Sequence, residues 1–189
     1  MDNEENGRHY KIHPENEGID LYKDDDGTRM QAIPATILEN IWNSIIHSKT
    51  QVHPVTLDLT VGEIHEVRGG GRLDFGGSEF NEAPTIPIKP IKKTRDDKYG
   101  WWDLKQGRYM VVYNEQLLDS WPGAIILTFI FPHRRFLLAG GIMPSSIIDP
   151  KPENTEKEKI KGIISVGEVG LHIKENARIA TACCLRQVA

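Results

Sequence analysis

The sequence is poor in cysteine: its 189 residues include only two, the adjacent Cys183 and Cys184. Adjacent cysteines rarely meet disulfide geometry, and two thiols cannot complete a metal cage, so we expect reduced structural thiols on a late strand. A long hydrophobic run is also missing. The longest, Ala124 to Phe131, is far too short to cross a bilayer, and the first residues show no signal-peptide pattern. These absences favour a cytosolic protein.

An excess of charge of one sign is absent as well. The formal net charge is −4 and the pI is about 6.0, which excludes a global basic field for nucleic acid or anionic membranes. The first 29 residues carry nine acidic and four basic side chains, so their charge of −5 leaves about +1 for the remainder. We therefore predict an acidic N-terminal tail over residues 1–29 and a single domain over residues 30–189.

Several catalytic signatures are missing too. The zinc-deaminase pattern of H-x-E with P-C-x-x-C is absent. His65-Glu66 lacks the second histidine of H-E-x-x-H, and no G-x-S-x-G nucleophile elbow is present. The seven histidines are scattered without ligand spacing. We predict no protein-held metal site.

One segment has the apolar spacing of a helix. Pro34 suits a first helical turn, and apolar residues follow at intervals of three and four until the pattern breaks near Ser48. These apolar residues are Ile37, Leu38, Ile41, Trp42, Ile45 and Ile46. The spacing predicts one helix that packs on the core.

After this segment the apolar period changes to two. Leu57 and Leu59 alternate with polar residues, which predicts a half-buried strand, a turn at Gly62 and a second strand over 64–67. Prolines at 84, 87 and 90 predict an edge strand or connector. Further strands are predicted at 103–104, 109–113, 124–131, 135–139, 162–166, 171–173 and 177–185. Many short strands with one helix favour an all-β barrel or sandwich.

Five segments, in order, are similar to the motifs of one enzyme superfamily. Residues 53–62 resemble the family pattern Q-P-A-S-x-D-L-R-L-G, and residues 104–109 resemble L-x-P-G-E-F/Y. Residues 132–142 stand where the family has R-S-S-L-A-R-x-G-I/L. Residues 145–150 resemble G-x-I-D-P-G, and residues 171–180 resemble L-x-L-R-P-G-x-R-I-G/A. Together these segments resemble the dUTPase/dCTP-deaminase superfamily, and the resemblance covers residues 34–185.

The resemblance implies a distorted jelly-roll β barrel and a homotrimer with active sites between subunits. It also implies a pyrimidine deoxynucleoside triphosphate as the partner, with Mg²⁺ carried on the nucleotide phosphates. The family reactions need a general base that activates water and cations that bind the triphosphate.

The resemblance identifies candidate site residues. Asp149 stands where the family has the acid that positions water and the sugar hydroxyl, although Asp-Pro is also a common turn opener. The R-S-S motif reads His133-Arg134-Arg135, and the two arginines offer forked donors for phosphate oxygens. Ion pairs with acids across a subunit boundary are the alternative for these arginines. Three further residues are predicted to bind substrate or phosphate: Ser145, Ser146 and Lys174.

The same comparison shows departures from the family at the site. The R-S-S serines are replaced, and the strand that should carry a deaminase glutamate reads Ile163 to Val166, with Glu168 displaced into the next turn. The aromatic residue that follows I-D-P-G is missing. The sequence ends at Ala189, so we expect the C-terminal lid to be absent.

Two functions stay open at this stage. One is a divergent deaminase or diphosphatase that uses Asp149. The other is an inactive trimer that senses nucleotides or binds proteins, with the acidic tail and the charged segment 151–161 as contact surfaces. Trp101-Trp102 could stack a base or pack at a strand edge.

Overall fold

The computed structural model describes residues 19–23, 29–118, 126–148 and 159–188. Asp149, most of the predicted acidic tail and most of the charged segment 151–161 lie outside these ranges. The helices of the described residues are α1 (Ala35–Ile41), α2 (Ser48–Gln51) and α3 (Arg134–Leu138). The first seven strands are β1 (Ile19–Lys23), β2 (Arg29–Ala32), β3 (Trp42–Asn43), β4 (Leu57–Val67), β5 (Thr85–Ile88), β6 (Trp101–Leu104) and β7 (Gly107–Tyr113). The remaining strands are β8 (Gln116–Leu117), β9 (Ile126–Pro132), β10 (Gly141–Ile142), β11 (Ser146–Ile148), β12 (Lys161–Val166), β13 (Leu171–Lys174) and β14 (Arg178–Val188).

The strands form one large antiparallel sheet and two small ones. The main path runs β1-β2-β14-β4-β7-β12-β10, while β9 pairs with β14 and β11, and β5 pairs with β4. The small sheets are β6 with β13 and β3 with β8. The large sheet curls into a half-barrel, so the molecule is mainly β, as the sequence predicts. Within the predicted tail, residues 19–23 form a strand at the sheet edge.

Strand β4 runs through the position where a turn was predicted. It is continuous from Leu57 to Val67, and the register shifts between Val61 and Glu63, so Gly62 lies at a bulge. A Cβ atom on Gly62 would lie 2.5 Å from Asn114 Oδ1, so a larger residue at this bulge would displace the Asn114 side chain. The prediction of two strands with a turn at Gly62 is therefore wrong.

The predicted helix begins where expected but ends earlier. Pro34 precedes α1, whose Leu38 and Ile41 are buried. Trp42 then adopts an extended conformation and pairs with Leu117 of β8, which ends the helix before the predicted boundary near Ser48. Tertiary strand pairing therefore overrides the apolar spacing that continues to Ile46.

The segment 135–139, predicted as a strand, is helical. Pro132 ends β9, and the side chain of His133 accepts a hydrogen bond from the backbone N–H of Arg135 as the N-cap of α3. Within this short helix only Phe136 is buried. The ring of Phe136 lies over Gly141, where an added Cβ would be 2.2 Å from the ring. This close contact holds α3 against β10.

The core lies inside the curled sheet, and both faces of β4 contribute to it. Leu57 and Leu59 are fully buried, and so are the polar Asp58 and Thr60 between them. The sequence predicted only one buried face, because alternation shows the apolar side and carries no signal about what covers the polar side. Cys183 and Cys184 are free thiols on β14, as predicted.

Among the described residues, none of the helices has the length and apolar character needed to span a membrane.

Candidate functional site

A cavity of about 390 Å³ lies between α3 and the turn that joins β13 to β14. We call it the α3 cavity. Its wall includes Arg135 from α3, Lys174 at the end of β13 and Arg178 at the start of β14. Trp101, Phe136, His172 and Asn176 also line it. The structure therefore joins two predicted phosphate ligands, Arg135 and Lys174, with a third cation that the sequence analysis did not select.

Among the residues that the structure describes, the lining of the α3 cavity includes three cations and no carboxylate. The Lys174 ammonium lies 5.4 Å from the ring centroid of Trp101, and the Lys93 ammonium lies 4.7 Å from the same ring. Such cation–π contacts attract each ammonium to the indole. Through Trp101, the ammonium of Lys93 is a fourth positive charge close to the cavity.

The other tryptophan of the pair has a structural role. Trp102 is buried and its indole N–H donates to the backbone oxygen of Ile88 at 2.7 Å. Trp101 lines the α3 cavity, whereas the burial and hydrogen bond of Trp102 favour the packing alternative for that residue.

His172 lies on the same wall and pairs across strands with Asp103. The two residues are directly opposite in the β6–β13 register, and His172 Nδ1 lies 2.5 Å from Asp103 Oδ1. Both side chains are more than half exposed, at 66% and 55%. This is an exposed cross-strand pair, whose contribution to stability is small.

A buried carboxylate lies behind the α3 cavity. Asp58 accepts hydrogen bonds from Arg178 Nη1 at 3.0 Å and from Thr181 Oγ1 at 3.0 Å. His53 Nε2 lies 3.1 Å from Asp58 Oδ2, and His133 Nε2 lies 3.5 Å from the same oxygen. The Asp58 side chain is only 3% exposed. Asp58 therefore links β4 to both elements that carry arginines into the cavity.

The other predicted site residues lie elsewhere. Arg134 is exposed on α3 and does not line the α3 cavity. Ser145 is exposed, and Ser146 begins β11, where it pairs with Ile130. Asp149 lies outside the described residues, so its predicted role stays a prediction.

Ser146 lines a second cavity of about 560 Å³, which we call the β12 cavity. This cavity lies among β12, β7 and the segment 71–83, and its wall is mainly apolar, with Met110, Met143 and Ile163 among its residues. Tyr113, also on the wall, places its hydroxyl 3.3 Å from Met143 Sδ, and burial raises the pKa of that hydroxyl above its ordinary value. The structure thus separates Ser146 from Arg135 and Lys174.

Sequence reasoning missed the residues around Asp58, although their signal was present. Asp58 and Arg178 belong to two of the five family-like segments, and Asp58 is a charged residue inside an apolar strand. No group of three or more His, Cys, Asp or Glu side chains suited to a metal ion occurs in the described part of the chain.

Comparisons with known proteins agree with the fold. No protein-family model matches the chain. The chain is 28% identical over 143 residues to a probable deoxyuridine 5′-triphosphate nucleotidohydrolase of Methanosarcina mazei. The aligned region covers 76% of this chain and 74% of the relative. The corresponding protein of Methanosarcina acetivorans is 29% identical over 150 residues, or 79% of this chain and 78% of the relative.

A solved structure shares the architecture. The crystal structure of 2′-deoxycytidine 5′-triphosphate deaminase from Agrobacterium tumefaciens matches with a TM-score of 0.52 and 14% identity over 80% of this chain. The match covers 45% of the deaminase chain, so this protein spans less than half of that neighbour's length. Sequence similarity to the two archaeal relatives, together with this shared fold, confirms the chain's resemblance to the dUTPase/dCTP deaminase superfamily.

Proposed function

We propose that the protein binds a pyrimidine deoxynucleoside triphosphate, dUTP or dCTP, and that the α3 cavity holds its phosphates. The observation that carries the proposal is the meeting of Arg135, Lys174 and Arg178 on one cavity wall. Arginine presents forked donors that match phosphate oxygens, and lysine adds a compact charge. The wall carries three cations, of which Arg178 is also paired with Asp58, and the remaining positive charge favours an anionic ligand over a neutral one.

The names of the two archaeal relatives support a deoxynucleoside triphosphate as the substrate, and Asp149 is the candidate for the catalytic step. In this proposal Asp149 acts as the general base that activates water against the nucleotide. It directly follows β11, whose first residue Ser146 lines the β12 cavity. The predicted substrate contacts of Ser145, Ser146 and Arg134 belong to the same proposal, as does a homotrimer in the cytosol that brings residues of neighbouring subunits together.

In this proposal Mg²⁺ is bound by the nucleotide phosphates and not by a protein carboxylate in the α3 cavity. The described lining of the α3 cavity contains no carboxylate that could hold the ion directly. Phosphate oxygens are hard ligands suited to Mg²⁺, which usually keeps several waters and few protein ligands. The ion would therefore arrive on the triphosphate and neutralise part of its charge.

An inactive nucleotide-binding protein is the second candidate. Trp101 and Phe136 occupy the cavity wall, and β12 carries no glutamate at the position expected of a deaminase. These observations favour binding without turnover. The two candidates share the phosphate cavity and differ only in the chemical step.

One experiment separates them. Purified protein is incubated with Mg²⁺ and either dUTP or dCTP, and products are resolved by ion-exchange chromatography. Binding is measured in parallel by calorimetry with the slowly hydrolysed analogue α,β-imido-dUTP. Arg135→Ala and Lys174→Ala are each expected to weaken binding about tenfold or more, because charge-assisted hydrogen bonds to phosphate are lost. Arg108→Ala and Lys105→Ala, exposed residues outside both cavities, serve as matched controls.

Each outcome has a distinct meaning. Turnover that Asp149→Asn abolishes supports the enzyme. Binding without turnover, weakened by Arg135→Ala and Lys174→Ala but not by the controls, supports the inactive alternative. Absence of both binding and turnover shows that the proposed function is wrong.

A further inference from the structure

His133 connects the helix that carries Arg135 to the buried Asp58. Its backbone N–H donates to the carbonyl oxygen of Ile179 at 2.9 Å, which anchors the start of α3 on β14. Its ring Nδ1 accepts the backbone N–H of Arg135 at 3.1 Å, and its Nε2 lies 3.5 Å from Asp58 Oδ2. The ring therefore lies between the cap of α3 and a carboxylate of β4.

These two contacts determine where the ring carries its proton. An Nδ1 atom that accepts a hydrogen bond has no proton, so the neutral ring must be protonated on Nε2. Nε2 is the atom that faces Asp58. Protonation of Nδ1 would remove the acceptor for the Arg135 N–H and leave α3 without its side-chain cap.

The cap matters because α3 has only five residues. A helix of this length is unstable by itself and depends on its cap and on packing. Phe136 supplies the packing, since it is the one buried residue of the helix. Arg135 is exposed and packs less than Phe136, so its position on the cavity wall relies on the cap.

We propose that His133 is a positioning residue for phosphate binding: its neutral ring holds Arg135 on the wall of the α3 cavity, and its protonation weakens that binding. This inference rests on the proposed function. His133 does not line the α3 cavity, so its effect passes through α3 and not through contact with the ligand.

The surroundings of His133 favour the neutral ring at physiological pH. Burial lowers the pKa of His133, and the charges of Arg178 on β14, Arg135 on α3 and His53 before β4 lower it further. Asp58 on β4 opposes this and raises the pKa. Together these effects lower the pKa of His133 below its ordinary value of 6.5. The ring is therefore neutral and the cap intact at about pH 7, and the cap is lost only when the pH falls below 6.5.

Two substitutions test the role. His133→Asn keeps a side-chain acceptor at a position where asparagine is a favoured N-cap, and it cannot titrate. His133→Ala removes the acceptor. Affinity for α,β-imido-dUTP with Mg²⁺ is measured by calorimetry between about pH 5.5 and 8, where an ordinary histidine titrates. Urea unfolding of each variant at the same pH values separates loss of fold from loss of binding.

At about pH 7.5 we expect His133→Ala to weaken binding about tenfold and His133→Asn to stay within about threefold of the wild type. The wild type should lose affinity on acidification more steeply than His133→Asn, and this difference excludes the titration of the nucleotide itself. His53→Gln removes the other histidine beside Asp58 and its pKa-lowering effect on His133, so it should keep the acid loss of affinity and shift that loss toward higher pH.

Three results would overturn the inference. One is a wild-type profile that His133→Asn reproduces, and another is an acid loss that disappears in His53→Gln instead. The third is tighter binding on acidification, which would show that the added charge on His133 outweighs the lost cap. If the wild type binds no nucleotide at any pH, the proposed function fails together with this inference.

Discussion

The side-chain amide of Asn114 donates a hydrogen bond to Asn176 Oδ1 at 2.9 Å. Asn176 lies in the turn between β13 and β14, where its φ of +63° is in the left-handed region. The same amide of Asn114 also donates to Thr60 Oγ1, which in turn donates to the buried Glu115 at 2.6 Å. A polar network thus connects the buried Glu115 to the turn that carries Lys174 and Arg178.

Substitution of Asn176 should show how this turn is held. Asn176→Ala is expected to lower the free energy of unfolding by about 1–2 kcal/mol, because alanine is strained at positive φ and cannot accept from Asn114. Asn176→Gly relieves the strain and should lose less. Urea unfolding measures both. Asn40→Ala is the control, since the exposed Asn40 amide donates locally to the Thr36 carbonyl oxygen within α1. Equal losses in the alanine and glycine variants would contradict a role for backbone conformation.

The buried Glu115 should give the protein a distinct pH dependence. Burial raises the pKa of Glu115 above its ordinary value of 4.5, although hydrogen bonds from Thr60 and Gln51 act in the opposite direction. In the pH window above 4.5 and below its raised pKa, the folded state binds a proton that the unfolded state has released. Stability therefore falls as pH rises through this window.

Glu115→Gln removes this component because glutamine does not titrate. Urea unfolding from about pH 5 to 8 should show the wild type losing stability relative to Glu115→Gln as pH rises. Glu39→Gln, on the exposed face of α1, controls for the loss of a carboxylate. A stability difference between wild type and Glu115→Gln that does not change with pH would show that this carboxylate does not titrate differently in the two states.

Gly141 should be intolerant of any side chain. An added Cβ would lie 2.2 Å from Phe136 Cζ, so Gly141→Ala must displace a buried ring or part of β10. Overpacking of this kind lowers the free energy of unfolding by about 1–3 kcal/mol. Because Phe136 is the buried residue of α3, the same variant should also weaken binding of α,β-imido-dUTP.

Gly70→Ala is the matched control, because an added Cβ there meets nothing within 4 Å. Chemical denaturation and calorimetry with both variants check the prediction. Unchanged stability and affinity in Gly141→Ala would show that α3 moves freely relative to β10.

The apolar alternation at the start of β4, together with many short apolar segments and a single helical one, was sufficient to predict a mainly β protein. A period of two is a local property of a strand, so it is visible in the residues themselves. The family resemblance also depends on short linear segments, and it selected Arg135 and Lys174 before their spatial relation was known.

Other features depended on contacts that no local pattern contains. The apolar spacing of α1 continues past Ile41, yet pairing of Trp42 with Leu117 ends the helix there. The segment 135–139 has strand-like composition, but the cap provided by His133 and the packing of Phe136 make it helical.

The sequence by itself determined the fold class and two of the three cations of the α3 cavity. Only the tertiary structure decided that Arg135, Lys174 and Arg178 share one wall, because α3 and the β13–β14 turn meet only after β14 pairs with β4 and β9. It also decided that Asp58 lies behind that wall, as the partner of Arg178. A carboxylate in an alternating strand can face solvent or a buried cation, and only packing distinguishes the two.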